Sequence, residues 1–218
     1  KMEKYTLFWF RRDLRIEDNH GLFRALSGKN KVIPLFIFDQ QILKKLPKSD
    51  ARLEYILLAL GTIGIAMKKN RCSLGMYHGT PQAIFKTLIS TWPIEKVICN
   101  EDYEPYARDR DASIKSLLED HQISFETYKD QVIFEKDEIV KDDGTPYRVY
   151  TPFSRKWLHH FSENELPYYP SETLLDKLAD IEQPQLDLTD LGFISSKVSS
   201  PQHTFNNERI TAYEATRN

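Results

Sequence analysis

The sequence predicts an α/β fold: a doubly wound, five-stranded parallel sheet of order 3-2-1-4-5, followed by an extended C-terminal linker. Three observations carry this expectation. Apolar runs at Tyr5–Phe10, Lys31–Phe38, Cys72–His78, Glu95–Asn100 and Ile123–Tyr128 alternate with stretches of helical periodicity across short polar turns. The first run is aromatic and apolar with no alternating polar face, which suits a central strand covered on both sides. Beyond Lys129 the alternation stops. In such a sheet the reversal of strand order opens a crevice between the first and fourth strands, and the candidate pocket lies at the carboxyl ends of strands 1, 2 and 4.

Each element has its own signal. Phe8 and Phe10 belong at the sheet centre. Asp18 or Asn19 can cap a first helix that runs to about Leu26. The second strand carries Pro34, which cannot donate to a ladder and is tolerable only near the strand's beginning. Ser49 or Asp50 can cap the next helix, where Leu53, Ile56, Leu57, Leu60, Ile63, Gly64 and Met67 fall on one face. Thr80 caps and Pro81 opens the helix after the third strand. A further helix runs from about Pro105 to Asp120. Asp142 to Pro146 reads as a turn, and Tyr147 to Leu158 gathers aromatics around a basic cluster. That segment is expected to pack on the core and turn Arg148, Arg155 and Lys156 outward or toward a further domain; a DNA-facing patch is the alternative. Residues 163–204, rich in Pro, Ser, Asp and Gln, read as a surface-hugging linker anchored at Leu174, Leu178, Leu188 and Phe193. Thr204 to Asn218 looks helical and ends in mid-pattern, as a piece of a longer protein would.

Bulk properties narrow the function. The chain has 218 residues, 40% hydrophobic and 28% charged, which suits one sizeable globular domain with an appendage. A net charge of −2 does not describe a basic nucleic-acid binder, so DNA contact needs a local patch or another domain. The two cysteines, Cys72 and Cys99, do not form a disulfide framework, and Cys99 sits in an apolar run as a small core residue. No apolar run reaches the roughly 18 residues of a membrane span, and no signal-peptide pattern opens the chain. We expect a cytoplasmic monomer. His78 at a strand end has no ligand partner nearby in sequence. Neither a G-x-G-x-x-G nor a P-loop, nucleophile elbow or metal-ligand cluster is present. What remains is a charged crevice without a catalytic constellation, which fits binding a flat or anionic small molecule. The guanidiniums of Arg11, Arg12 and Arg15 at its lip lie where a ligand would bind; the alternative is that Arg11, Arg12, Asp13 and Asp18 form an ion-paired loop that only shapes the turn.

Four motifs bear on family. Trp9 to Leu22, WFRRDLRIEDNHGL, resembles the opening of DNA photolyases and cryptochromes, W-F-R-x-D-L-R-x-x-D-N. Asn100-x-Asp-x-Glu-Pro-Tyr-x-Arg-x-Arg-Asp111 is similar to that family's segment after the fourth strand, with Cys99 and Ala107 where Trp and Gly are common. Gly144 to Trp157 resembles its G-x-P-y-x-V-[FY]-T-P-F-x-x-x-W stretch, and Phe36, Asp39, Gln41-Ile42-Leu43 and Arg52 match a further run. The chain is identified as a member of the photolyase/cryptochrome family, with a Rossmann-like antenna domain.

The resemblance implies a modular protein. Residues 1–162 would be the antenna domain, 163–204 the interdomain linker, and 205–218 the start of a helical FAD-binding domain. The full-length protein would be a deoxyribodipyrimidine photo-lyase, splitting cyclobutane pyrimidine dimers in UV-damaged DNA by light-driven electron transfer from FAD. The chain by itself is expected to be inactive, with no catalytic residue in it, and the relay tryptophans would lie further on. A cryptochrome photoreceptor is the runner-up, and a universal-stress-type nucleotide module a distant third. The resemblance places an antenna pigment against Phe36, Arg12, Arg52, Asp102 and Glu104, of deazaflavin rather than folate type, because Tyr106-Ala107 stand where folate carriers have Asn-Glu. The alternative is that Asp102 and Glu104 merely cap the helix at Pro105. In organisms that do not make deazaflavin the crevice would be empty or hold another flavin. Tyr213 would touch FAD and Arg217 would face DNA. No metal is implied.

Overall fold

The computed structural model describes residues 3–196. The helix expected over Thr204–Asn218, with Tyr213 and Arg217, lies outside the described residues. The sheet is five-stranded and all parallel, in the order β3-β2-β1-β4-β5. Its strands are β1 (Tyr5–Phe10), β2 (Lys31–Asp39), β3 (Gly75–Gly79), β4 (Ile94–Asn100) and β5 (Ser124–Tyr128). The helices are α1 (His20–Leu26), α2 (Gln40–Leu43), α3 (Ala51–Lys68), α4 (Pro81–Thr91), α5 (Pro105–Asp120) and α6 (Tyr150–Glu163).

The strand alternation of β1 explains the double winding. Phe8 and Phe10 point to one face, where they meet edge to face at 4.7 Å and pack with residues of α1 and α3. Leu7 and Trp9 point to the other, with Phe85 and Leu88 of α4 and Ile114 and Leu118 of α5. Both faces are therefore apolar, and β1 is buried along nearly its whole length. Pro34 is accommodated because at that position β2 has only β1 beside it: Phe8 pairs with Pro34, whereas β3 joins from Leu35 onward. The helix starts follow local chemistry. Asn19, Asp50 and Thr80 each accept a backbone N–H in the first turn of α1, α3 and α4.

Two stretches differ from expectation. Gly144–Trp157 is not a loop on the core: from Tyr150 it is α6, and none of that helix's residues is buried. Trp157 meets Phe134 edge to face at 5.4 Å and stacks on Phe161, so the helix rests on the segment after β5 rather than on the sheet. Phe153, Trp157 and His160 fall at i, i+4 and i+7, a helical spacing that the local aromatic density concealed. The single turn α2, capped by Asp39, was also not foreseen. The segment after α6 returns to the sheet as a 3-10 turn at Ser171–Lys177. Leu178 bridges Val32 in parallel, and Gln183 donates to the carbonyls of Pro34 and Ser73. Leu178, Ala179, Leu191 and Phe193 are buried.

Candidate functional site

The loop after β1 sends consecutive arginines in opposite directions. Arg11 turns inward: its Nη1 donates to Asp111 at 2.5 Å, and its Nη2 donates to the Asn100 carbonyl and to Cys99 Sγ. Arg110 also grips Asp111, through Nε and Nη2 at 3.0 and 2.9 Å. Both guanidiniums lie over the Trp9 ring, which tolerates them as cation–π partners. Arg12 turns outward and stands 3.4 Å from Asp102 and 3.0 Å from Glu104. Beneath the loop, Asn100 at the end of β4 donates to Asp13 at 2.6 Å and to Asn19 at 2.8 Å, and accepts from the Gly21 N–H at 2.8 Å. Asp13 further accepts from the Arg11 N–H and from Asn19. Asp13, Asn19 and Asn100 are all buried, so this closed network joins the first strand's loop to the fourth strand. Arg11 is thus ion-paired, though to Asp111 of α5 and not within its own loop, whereas Asp13 is held by amide donors and has no ion pair among the described residues.

At the carboxyl ends of β1 and β2 a crevice of about 450 Å³ opens. Phe10, Phe36 and Phe38 contribute aromatic surface, α2 and α3 contribute Leu43, Leu53 and Ile56, and α5 contributes Tyr106 and Ala107. Arg12, Asp102 and Glu104 line it as well. Tyr106 donates to Asp39 at 2.6 Å, joining α5 to the end of β2. Burial, with Asp39 beside it, pushes the Tyr106 phenol up to about 12. Lys45 stands 6.0 Å from the Tyr106 ring. A volume in the range of ligand pockets, apolar walls and a few convergent polar groups make this the candidate binding site. Arg11 also lines the crevice, and its buried Nε has no hydrogen-bond partner among the described residues.

Four of the expected pigment residues, Phe36, Arg12, Asp102 and Glu104, therefore meet in one crevice. Asp102 and Glu104 do not cap α5. Glu104 occupies the cap position without a side-chain cap bond, and Asp102 accepts from the Glu104 N–H at 3.3 Å and stands beside Arg12. Arg52 does not join them. Asp50 caps α3, and its carboxylate also captures the Arg52 guanidinium two residues on, at 2.6 Å, away from the crevice wall. These bonds hold Asp50 down at about 2. Asp39, Tyr106, Arg110 and Asp111 were not singled out from sequence as site residues, although all four stood inside the quoted motifs.

A second cavity of about 460 Å³ lies between α5, β5 and residues 132–136, lined by charges of both signs. His78 is exposed, and the described residues hold no metal-ligand cluster. No helix among them is long and apolar enough to cross a membrane.

Residues 6–171 match the DNA photolyase family. The chain belongs to that family. It is 36% identical over 151 residues to the deoxyribodipyrimidine photo-lyase of a Synechococcus, covering 69% of this chain and 31% of that one. Its fold is similar to that of a bacterial class III photolyase from Agrobacterium tumefaciens, with TM-score 0.74 and 26% identity, over 90% of this chain and 40% of the other. It is also similar to an archaeal photolyase from Sulfolobus tokodaii, with TM-score 0.71 and 26% identity, over 91% and 43%. That archaeal structure contains two FAD molecules and implies a novel light-harvesting cofactor. The chain thus spans about a third to two fifths of these photolyases.

Proposed function

We propose that this chain is the antenna portion of a deoxyribodipyrimidine photolyase and that the β1–β2–α5 crevice holds its pigment. The observation that carries this is the meeting of Phe36, Arg12, Asp102 and Glu104 around one apolar crevice at the strand carboxyl ends. Residues 1–162 form the antenna domain, 163–204 the linker and 205–218 the start of the helical domain. The bound pigment supplies excitation energy to an FAD held by the rest of a longer protein, which repairs pyrimidine dimers in UV-damaged DNA in the cytoplasm.

The chain's own residues bind and orient. Phe36 offers its ring to a flat chromophore. The Arg12 guanidinium, already flanked by Asp102 and Glu104, gives a rim that can serve both carbonyl acceptors and ring or sugar donors. Tyr106 and Asp39 hold the two walls together. Pairing of donors with acceptors on one rim suits a deazaflavin or flavin better than a simple anion.

Titration of the chain with flavin mononucleotide or a deazaflavin, followed by pigment fluorescence, tests the assignment. Phe36→Ala and Asp102→Ala should each weaken binding about tenfold, equivalent to about 1.4 kcal/mol. Arg52→Ala should leave it unchanged. Unaltered affinity in both crevice variants would refute the pigment site. In the longer protein, light-driven dimer splitting separates a photolyase from a cryptochrome.

A further inference from the structure

The cavity of about 460 Å³ between α5, β5 and residues 132–136 lies on the other side of α5 from the pigment crevice. One stripe of α5, Ala107, Arg110, Ile114 and Leu118, is buried. The stripe beside it, Arg108, Asp111, Ala112 and Lys115, falls at i, i+3, i+4 and i+7 and lines the cavity. Arg108 and Lys115 are two turns apart, about 10 Å along the axis, with the small Ala112 between them. Phe125 of β5 and Phe134, both half-buried, add aromatic surface, and Lys136 adds a third cation.

The cations of this cavity are free and its acids are not. Among the described residues Arg108 and Lys136 have no ion pair or side-chain hydrogen bond, and Lys115 has only Glu119, at 3.9 Å. Every carboxylate on the wall is engaged. Asp111 is shared by Arg11 and Arg110, and Asp102 stands beside Arg12. Glu101 accepts from the Thr127 hydroxyl at 3.0 Å, and Glu135 accepts from the Tyr103 phenol at 3.2 Å. An entering anion therefore meets unmatched positive charge, whereas a metal ion would first have to detach a carboxylate from its partner.

We infer that this cavity is a second ligand site and that it takes a nucleoside monophosphate. Arg108 and Lys136 hold the phosphate, and the base lies against Phe125 and Phe134. Both parts of the ligand are called for, because the walls offer apolar rings as well as unmatched cations. The volume suits a single small molecule. Arg108 lines only this cavity and Phe36 only the pigment crevice, so the two sites can be told apart.

Titration of the chain with adenosine monophosphate, read by backbone amide shifts in nuclear magnetic resonance, tests the inference. Shifts are expected at Arg108–Lys115 and at 132–136, with a dissociation constant below about 1 mM that rises with salt. Adenosine and inorganic phosphate, each carrying half of the contacts, should bind at least about tenfold more weakly. Arg108→Glu and Lys136→Glu should each weaken the nucleotide about tenfold. Ala112→Phe, which fills the space between the two α5 cations, should abolish binding. Circular dichroism should be unchanged in all three variants. An unshifted spectrum at about 10 mM nucleotide overturns the proposal. So does phosphate that binds as tightly as the nucleotide, which marks a plain anion patch. A single-stranded oligonucleotide that binds these residues more tightly than adenosine monophosphate overturns the assignment to a free nucleotide. Binding that survives all three variants and is lost in Phe36→Ala places the nucleotide in the pigment crevice and overturns the second site.

Discussion

Gly21→Ala should destabilise this protein although it places a better helix former in a helix. Gly21 sits in the first turn of α1, and an added Cβ would stand 2.6 Å from Asn100 Oδ1 and 3.0 Å from the Phe8 ring. Neither neighbour can move cheaply. Phe8 is fully buried at the sheet centre, and Asn100 is held by Asp13, Asn19 and the Gly21 N–H itself. Overpacking of this kind costs about 1–3 kcal/mol, and distortion of the Gly21–Asn100 hydrogen bond about 1 kcal/mol more. The gain in helix propensity returns about 1 kcal/mol at most, leaving a net loss of about 1–3 kcal/mol. Gly64→Ala is the matched control: a Cβ there meets nothing within 4 Å, so the same substitution should stabilise by about 0.5–1 kcal/mol. Urea denaturation of both variants reads the difference as midpoint shifts of opposite sign at constant slope. A Gly21→Ala protein as stable as the parent would refute the reasoning.

Two further outcomes follow from the same loop. Asn100→Ala strands the Gly21 N–H and removes two donors from Asp13 and Asn19, all inside the protein, and should cost about 3 kcal/mol in the same urea assay; a loss under about 1 kcal/mol would mean that water replaces the side chain. His20, stacked on Tyr169 at 3.7 Å with Nδ1 on the Lys129 carbonyl, has its pKa lowered below 6.5 chiefly by burial. The folded state therefore takes up fewer protons than the unfolded chain. The His20 contribution is complete above pH 6.5 and is lost as pH falls through the lower folded value. Relative to His20→Phe, the parent should lose stability between pH 7 and pH 5.5, and parallel profiles for the two would exclude this.

The strand order, the buried aromatic centre and the cap at Thr80 were legible from residue order alone, while the sequence offered Asp18 or Asn19 and Ser49 or Asp50 for the other two caps and the structure chose Asn19 and Asp50. Each depends on neighbours a few positions apart: apolar runs, helical stripes, a capping side chain before a periodic segment. The crevice was legible because a parallel sheet with one reversal opens at the strand carboxyl ends, and the Arg12, Phe36, Asp102 and Glu104 motifs sit there. Only the tertiary structure separated Arg52 from that group, since Asp50 competes for its guanidinium at shorter range. It also decided that Asn100 closes a network with Asp13 and Asn19, and that Arg11 and Arg110 share Asp111. Asp111 lies 100 positions from Arg11, and Asn100 lies 87 and 81 positions from Asp13 and Asn19, beyond any local periodicity. α6 was lost for a different reason: its side chains find partners in residues 132–136, not in the sheet, so its burial pattern does not mark it as a core helix.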